Sequence, residues 1–384
     1  MSADALPRPS AEAAEHSLAL AALIRARIER SGGWIDFAQY MDLALYAPGL
    51  GYYVAGSTKL GGTGDFVTAP ELTPLFARTL ARGIAPLLDE GRGGDLLELG
   101  AGSGALACGL LRALDEAGAL PRRYGILELS PELRQRQAAR IAALPGELAS
   151  RVHWLESLPD RIDGVVLGNE VLDALPVHLV VWDAEGVRQR GVIVRDGGFA
   201  FEDRPVLQGP LRTHAQALPV SAPYVSEINL RASALVDALA RRLGRGALLF
   251  IDYGFGRAEY YHPQRVHGTL MCHYRHRAHD DVFFLPGLQD ITAHVDFTAV
   301  AEVGIARGMQ LLGYTTQAAY LIDLGITDLL ARAQPGTVEY LRQVAPAQKL
   351  LSPAEMGELF KVIALGRDVS PPPGFSRGNL SRLL

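Results

Sequence analysis

Three glycines separated by single residues follow a short apolar run in the first third of the sequence. The run is Leu96-Leu97-Glu98-Leu99, and the next segment reads Gly100-Ala101-Gly102-Ser103-Gly104. Glycines after a strand allow the backbone to turn tightly and to approach a ligand closely. Dinucleotide sites have the spacing Gly-x-Gly-x-x-Gly instead, and a carboxylate such as Glu98 would repel their pyrophosphate. The pattern therefore favours a cationic or amine-bearing ligand, such as the methionine end of S-adenosylmethionine.

A second acidic residue, Glu128, lies at the end of the next predicted strand. A carboxylate at this place can accept hydrogen bonds from both hydroxyl groups of a ribose. Ordinary turn glycines and helix-capping carboxylates would be the better interpretation of an isolated Gly-x-Gly. With the strand and both acids in place, the sequence predicts a site for S-adenosyl-L-methionine, made by Glu98, Gly100, Ala101, Gly102, Gly104 and Glu128.

Two acids and an amide, Glu170, Asp173 and Asn169, follow the fourth predicted strand. In a sheet of this kind we expect the end of that strand to face the methyl group. Arginine is a planar cation whose donors form a fixed fork, and paired carboxylates bind it bidentately. Local negative charge would also allow two cations, the sulfonium and the guanidinium, to approach each other. The residues therefore favour methyl transfer to an arginine side chain.

Other interpretations of this stretch stay open. A capped, solvated turn between a strand and a helix would show the same residues. The Asn/Asp-Pro-Pro-aromatic motif, typical of enzymes that methylate base amino groups, is absent here, so a flipped base is disfavoured. The nitrogen proton becomes acidic as methyl transfer proceeds, and a carboxylate or a histidine could accept it.

The elements that must position these residues alternate along the chain. Apolar runs without strict alternation are separated by helical patterns, which indicates a parallel sheet covered on both faces. Residues 177–204 read as β-hairpins with a turn at Asp196-Gly197-Gly198. The predicted fold is α/β: a doubly wound, Rossmann-like class I methyltransferase sheet with an N-terminal helical and loop lid and with β-hairpin and loop insertions.

Six segments are expected. They are an N-terminal helical and lid segment (1–90), the first part of the methyltransferase core (91–176), a β-hairpin insertion (177–226), a continuation of the core (227–256), a histidine-rich insertion on the substrate side (257–297), and the C-terminal part of the core with a tail (298–384).

Composition narrows the class of protein further. The net charge of −5 gives no reason to expect nucleic acid as a partner. Two cysteines, Cys108 and Cys272, do not make a disulfide framework and indicate a reducing compartment. No leader pattern and no apolar stretch of about 20 residues is present, so a cytoplasmic protein without membrane insertion is expected.

Histidines concentrate between residues 262 and 294 and are accompanied by several aspartates. The histidines and aspartates show no compact pairing at metal-ligand spacing, so no metal is expected. His294 is a candidate general base, although Asp290-Ile-Thr-Ala-His294 could instead cap a helix. Tyr253, Tyr260 and Tyr261 are candidate aromatic walls for a guanidinium, with core packing at least as plausible for Tyr253.

Several motifs together resemble the MidA family of S-adenosylmethionine-dependent methyltransferases. They include Leu97-Glu-Leu-Gly-Ala-Gly-Ser-Gly104 and Asn169-Glu-Val-Leu-Asp-Ala-Leu-Pro176, with further matches at 64–72, 251–254, 268–270, 290–298 and 356–361. The resemblance covers about residues 18 to 367. Mitochondrial members of this family are protein arginine methyltransferases that act on a subunit of respiratory complex I during assembly. A protein substrate, of the complex I subunit type, is what the resemblance implies.

The resemblance also implies roles for particular residues. It assigns the cofactor to Glu98, Gly100, Gly102, Gly104 and Glu128, and places Asn169, Glu170 and Asp173 at the reaction centre. It adds a wall from the N-terminal segment, formed by Asp65, Thr68, Pro70 and Glu71. Two positions depart from the family pattern: Ala318, where a glycine is expected, and Met271, where a basic residue is common. The second bears on substrate contacts. A methyltransferase for a small molecule or another side chain, and a non-catalytic assembly factor, remain the alternatives.

Overall fold

A computed structural model describes residues 6–55, 68–90, 93–206, 208–334 and 336–384. Among these residues, the helices are α1 (Ala11–Arg30), α2 (Phe37–Tyr46), α3 (Ala69–Leu72), α4 (Pro74–Glu90), α5 (Ala105–Glu116), α6 (Pro131–Ile141), α7 (Gly146–Ala149), α8 (Pro210–Ala217), α9 (Leu230–Arg242), α10 (Arg257–Tyr260), α11 (Phe297–Ala306), α12 (Gln317–Asp323), α13 (Ile326–Leu330) and α14 (Val338–Leu351).

The strands in the same ranges are β1 (Ile35–Asp36), β2 (Asp95–Leu99), β3 (Tyr124–Leu127), β4 (Val152–Leu155), β5 (Ile162–Asn169), β6 (His178–Asp183), β7 (Gly186–Arg195), β8 (Gly198–Pro205), β9 (Tyr224–Ile228), β10 (Leu243–Phe255), β11 (Met271–Tyr274), β12 (Arg277–His279), β13 (Asp290–Thr292), β14 (Val295–Asp296), β15 (Gln310–Thr316) and β16 (Phe360–Arg367).

The chain forms two compact units, and each is assembled from three separate stretches. The first unit consists of Met1–Phe66, Asp173–Ala234 and Arg257–Asp296, and the second of Val67–Leu172, Leu235–Gly256 and Phe297–Leu384. The finer six-segment division expected from the sequence stays a prediction.

The second unit contains the large sheet. Its strands lie in the order β15-β16-β10-β5-β2-β3-β4. Strands β10, β5, β2, β3 and β4 are parallel, whereas β16 runs antiparallel to both β10 and β15. The order reverses direction at β2, since β3 follows on one side and β5 lies on the other. Doubly wound sheets bind ligands at such a switch point, outside the carboxyl ends of the strands.

Apolar side chains on the strands explain why this sheet is buried. Leu96, Val165, Leu249 and Val362 are at most 1% exposed and belong to one core with the inner faces of α4 and α5. Strands covered on both faces need continuous apolar runs, which is the pattern the sequence shows. This core holds the loops at the carboxyl edge of the sheet in fixed positions.

The first unit contains antiparallel sheets. Strands β1, β7, β6 and β9 lie in that order, with β8 paired to β7, and β12-β11-β13 form a smaller sheet. The predicted turn at Asp196 and Gly197 connects β7 to β8, and both residues have positive φ (52° and 78°). A turn of this kind fits the twist of a two-residue hairpin.

Helix α3 is separated from α4, where the sequence predicts one helix over 71–89. The break is at Thr73, whose backbone is extended (φ −159°, ψ 142°). The residue before a proline is disfavoured in the helical region, and Pro74 follows. The Thr73 hydroxyl accepts a hydrogen bond from the Leu75 amide (3.2 Å), which caps α4. Within the described ranges, no helix is both long and apolar enough to span a membrane.

Candidate active site

The glycine loop joins β2 to α5 at the switch point of the large sheet. Gly100, Gly102 and Gly104 have φ values of 59°, 53° and 81°, a region that favours glycine. The Gly100 amide donates to the Leu127 carbonyl (2.9 Å), which ties the loop to the end of β3. Ala101 is buried between these glycines and accepts from the Gly104 amide (2.8 Å). The loop therefore turns sharply into the amino terminus of α5.

The carboxyl group of Glu98 lies inside the sheet layer, one residue before the end of β2. It is 2% exposed and accepts a hydrogen bond from the Tyr124 hydroxyl (2.7 Å). Burial raises the pKa of Glu98 to about 7, opposed by the Tyr124 hydrogen bond and reinforced by the negative charge of Glu128. The strand β2 continues to Leu99, which pairs with Leu127 and Gly168.

Glu128 directly follows β3, the strand that lies beside β2 and the glycine loop. Its Oε1 accepts from the Ser130 amide (2.9 Å) and its Oε2 from the Gln137 side-chain amide (3.0 Å). Burial raises the pKa of Glu128, and these hydrogen bonds together with Arg134 oppose the rise. The carboxylate is held at two points, and carboxylate oxygens can each accept more than one hydrogen bond.

Gln137 is a buried polar residue that the sequence analysis missed. Its Nε2 donates to the Gly102 carbonyl (2.9 Å) as well as to Glu128, and its Oε1 accepts from the Trp154 indole (2.9 Å). The signal in the sequence was a glutamine four residues before Ile141, which places both residues on one face of α6.

The predicted N-terminal wall is described only in part. Asp65 lies outside the described residues. Thr68 is the N-cap residue of α3 and Pro70 lies in its first turn. The Glu71 carboxylate accepts from the Ser103 hydroxyl in the glycine loop and from Arg140 (2.9 Å). Glu71 is thus joined to the loop that carries the glycines.

The turn after β5 is strained and firmly held. Glu170 has a positive φ of 54°, which is uncommon for a residue with a side chain. Its amide donates to the Ile251 carbonyl (2.9 Å), and its Oε1 accepts from the Asn169 side-chain amide (3.1 Å). Strained backbone of this kind is common at functional sites.

Asp252 supports this turn from the neighbouring strand β10. It is 1% exposed, and its Oδ2 accepts from the amides of Val171 (3.1 Å) and Leu172 (2.9 Å). A carboxylate that accepts backbone amides fixes the chain in one path. The sequence analysis had noted Asp252 only as part of a family motif.

Asp173 and His294 belong to the first unit and lie on adjoining stretches of it. The Asp173 carbonyl accepts from the Ala293 amide (3.1 Å), and the His294 amide donates to the Thr269 hydroxyl (3.1 Å). Asp173 is buried. The pKa of Tyr53 is raised, mainly by the burial of Tyr53 itself and then by nearby charges that include Asp290 and Asp173. The backbone of His294 is therefore anchored.

Glu227 organises the loop that carries Thr269 and was also missed from the sequence. Its carboxylate accepts from the amides of Thr269 (2.9 Å) and Leu270 (2.9 Å) and from the Tyr260 hydroxyl (3.2 Å). The Tyr261 hydroxyl donates to the Glu227 carbonyl (3.0 Å), and both tyrosines are buried. Tyr260 and Tyr261, proposed from the sequence as aromatic walls for a guanidinium, therefore form hydrogen bonds inside the first unit.

Tyr253, the third candidate wall, packs edge-on against Phe360 of the second unit with ring centroids 5.3 Å apart. Core packing was the alternative stated for it. In the part of the chain that the structure describes, no group of three His, Cys, Asp or Glu residues has the geometry of a metal site.

The donor set at the sheet edge fits S-adenosyl-L-methionine on chemical grounds. Glycines without side chains allow a ligand to approach the loop backbone closely, and Glu128 offers a fixed carboxylate beside the loop. Carboxylates accept from ribose hydroxyls and attract the ammonium and sulfonium groups of such a ligand. The fold and this loop define the class: a doubly wound α/β protein with a glycine loop at its switch point.

The chain belongs to a family of S-adenosyl-L-methionine-dependent methyltransferases, whose model matches residues 76–315. It is 31% identical to the mitochondrial protein arginine methyltransferase NDUFAF7 homolog of Drosophila melanogaster, over 96% of this chain and 91% of the relative. It is 30% identical to mitochondrial NDUFAF7 of Danio rerio, over 87% and 83%. The fold class, the enzyme class and the cofactor predicted from the sequence are confirmed.

A solved structure agrees with this assignment. A COG1565 superfamily member from Burkholderia thailandensis, solved with bound S-adenosyl-homocysteine, is 50% identical to this chain, with a TM-score of 0.95. The match covers 99% of this chain and 100% of that chain.

The cytoplasmic location expected from the sequence is wrong, since the curated relatives are mitochondrial proteins. The expectation combined the low cysteine count with the absence of a recognised leader pattern. The cysteine count indicates a reducing compartment and does not identify which one.

Proposed function

We propose that this protein transfers a methyl group from S-adenosyl-L-methionine to a guanidinium nitrogen of an arginine in a partner protein. The observation that carries the proposal is the acidic turn after β5, where Glu170 has a positive φ and accepts a hydrogen bond from Asn169. The curated relatives, which are named protein arginine methyltransferases, support the same substrate. The partner we propose is a subunit of respiratory complex I, as in the family that the sequence resembles.

The cofactor would be held by residues of the second unit. Glu128 would accept hydrogen bonds from the ribose hydroxyls, and Gly100, Ala101, Gly102 and Gly104 would allow close approach of the loop backbone. Glu98, whose pKa is raised to about 7, would contribute only part of a negative charge on the strand that leads into the loop. Thr68, Pro70 and Glu71 are proposed as a wall on the same unit, with Glu71 fixed to the loop through Ser103. When bound, the cofactor supplies a methyl group on a positively charged sulfur.

Glu170 and Asn169 are proposed to orient the substrate nitrogen. A carboxylate beside the guanidinium lowers the repulsion between two cations, and this effect is largest where water is excluded. Because Asp252 fixes the turn, the Glu170 carboxylate is held in place before substrate arrives, which is the main requirement for a positioning effect. Asp173 and His294 remain the predicted guanidinium ligand and proton acceptor of the first unit.

The test is a chemical identification of the methylated residue. Wild-type protein is incubated with methyl-labelled S-adenosyl-L-methionine and extract from cells that lack the gene, and the labelled protein is then hydrolysed. We expect the label in NG-methylarginine, on a complex I subunit. Label in another amino acid or in a small molecule would contradict the arginine assignment, and no label with bound cofactor would favour a non-catalytic assembly factor.

A matched pair of variants tests the role of Glu170. Glu170→Gln keeps the side-chain shape and is expected to lower methyl incorporation about 100-fold, while affinity for S-adenosyl-homocysteine changes less than about twofold. Glu156→Gln, an exposed change on the same unit, should leave both unchanged. Equal loss of cofactor affinity and activity in Glu170→Gln would contradict a role at the substrate nitrogen.

A further inference from the structure

The side chain of Gln137 contacts three separate elements of the second unit. It is fully buried on α6, donates to the Gly102 carbonyl (2.9 Å) and to Glu128 Oε2 (3.0 Å), and accepts from the Trp154 indole (2.9 Å). Gly102 follows β2, Glu128 follows β3 and Trp154 lies on β4. One amide group therefore joins the glycine loop, the adjacent acid and the next strand.

The orientation of this amide is fixed by its partners. The indole of Trp154 can only donate a hydrogen bond, so the Gln137 oxygen must face it. The amide nitrogen then faces Glu128 and the Gly102 carbonyl, both of which only accept. A side chain that lacks either group leaves a buried polar atom without its partner, which is unfavourable.

The aliphatic part of Gln137 is constrained as well. A Cβ atom at Gly104 would lie 3.3 Å from the Gln137 Cα and 3.4 Å from its Cγ. These distances show that Gln137 packs directly against the loop at Gly104, where there is no room for a larger side chain. Gln137 thus sets the distance between the Glu128 carboxylate and the glycine loop.

We propose that Gln137 is a positioning residue for cofactor specificity, because it holds the Glu128 carboxylate in the orientation that selects the ribose hydroxyls. The inference rests on the proposed contact between Glu128 and the ribose and is independent of which residue receives the methyl group. Trp154 acts one step further away, since its indole fixes the orientation of the Gln137 amide.

The test compares S-adenosyl-homocysteine with its 2′-deoxy and 3′-deoxy analogues in calorimetric titrations. Wild type is compared with Gln137→Leu, Trp154→Phe and Gln135→Leu, the last changing an exposed glutamine on the same helix. All three ligands are titrated into the same preparation, so a loss of folded protein lowers the stoichiometry and leaves the ratios of Kd values unchanged.

We expect wild type and Gln135→Leu to bind S-adenosyl-homocysteine roughly tenfold more tightly than either deoxy analogue. In Gln137→Leu the ratio should fall to about twofold, and in Trp154→Phe it should be intermediate. An unchanged ratio in Gln137→Leu would overturn the inference and leave the Glu128 contact standing. A ratio near one in wild type would overturn both.

Discussion

The buried carboxyl groups of Glu98 and Glu128 interact electrostatically in the second unit, and burial raises the pKa of each. Glu98 accepts from the Tyr124 hydroxyl, and the charge of Glu128 adds to the effect of burial. The two acids therefore differ in their surroundings: Glu128 is held by amide donors and Glu98 by a single hydroxyl. The amide donors favour the ionised form of Glu128, whereas Glu98, with a pKa of about 7, is expected to be partly protonated at neutral pH.

The raised pKa of Glu98 predicts a pH dependence of stability. The pKa of Glu98 is about 7 in the folded chain and 4.5 in the unfolded chain. The contribution of protonated Glu98 to the free energy of unfolding is therefore fully present below pH 4.5 and is lost as the pH rises through 7. The difference is on the order of 3 kcal/mol. Chemical unfolding should show that Glu98→Gln gains stability over wild type as the pH rises from about 5 to about 8.

The exposed control for this prediction is Glu116→Gln, at the end of α5, whose side chain is 68% exposed. Its stability should follow the wild-type pH profile. Parallel profiles for wild type and Glu98→Gln would show that Glu98 is already ionised in the fold.

At the scale of elements, α5 has a glycine with positive φ at each end. Gly104 precedes the helix with φ 81° and Gly118 follows it with φ 67°. A Cβ at Gly118 would meet nothing within 4 Å, whereas one at Gly104 would press on Gln137. Substitution at either glycine strains the backbone, but only substitution at Gly104 also affects a residue of the candidate site. Comparing the two variants therefore distinguishes the two effects.

Alanine substitutions at these two glycines should differ in their effect on the cofactor. Gly118→Ala is expected to lower the free energy of unfolding by about 1 kcal/mol without changing affinity for S-adenosyl-homocysteine. Gly104→Ala should cost more and weaken binding about tenfold, because Gln137 must shift. Urea unfolding measures the free energy of unfolding, and calorimetry measures the affinity. Equal affinities in the two variants would argue against an effect of the contact between Gly104 and Gln137 on cofactor binding.

The turn after β5 depends on Asp252 of β10. Asp252→Asn removes the charge that accepts the amides of Val171 and Leu172, and should cost about 2 kcal/mol of stability. We expect methyl transfer to fall while affinity for S-adenosyl-homocysteine is kept. Asp160→Asn, an exposed change on the same unit, is the control, and unchanged transfer in Asp252→Asn would mean that the turn needs no such support.

The sequence predicted the parts of the large sheet whose signals are local. Buried parallel strands appear as apolar runs, and the run Leu96–Leu99 lies within β2 (Asp95–Leu99). The small sheet of β11, β12 and β13 was not predicted, because its strands are three or four residues long. Gln137 and Glu227 were also missed, because their roles depend on partners far away in the sequence.

At the scale of the whole molecule, each unit has its own apolar core. The second unit has the sheet and its covering helices, and the first has an aromatic cluster in which Tyr40 packs edge-on against Phe199 and Phe283. The chain passes between the units several times, so neither corresponds to one continuous segment. The sequence indicated insertions where the alternation of strands and helices stops. It could not show that the three separate stretches of the first unit share one core.

The central claim is that the carboxyl edge of the large sheet binds the cofactor through the glycine loop and Glu128. Calorimetric titration of S-adenosyl-homocysteine into the full chain tests it most directly, with Glu128→Gln and, as a control, Glu147→Gln, whose side chain is 80% exposed. We predict one ligand per chain for wild type and for the control. Glu128→Gln should bind about 10- to 100-fold more weakly, since it loses charged hydrogen bonds. Equal affinity in Glu128→Gln, or no binding to wild type, would contradict the claim.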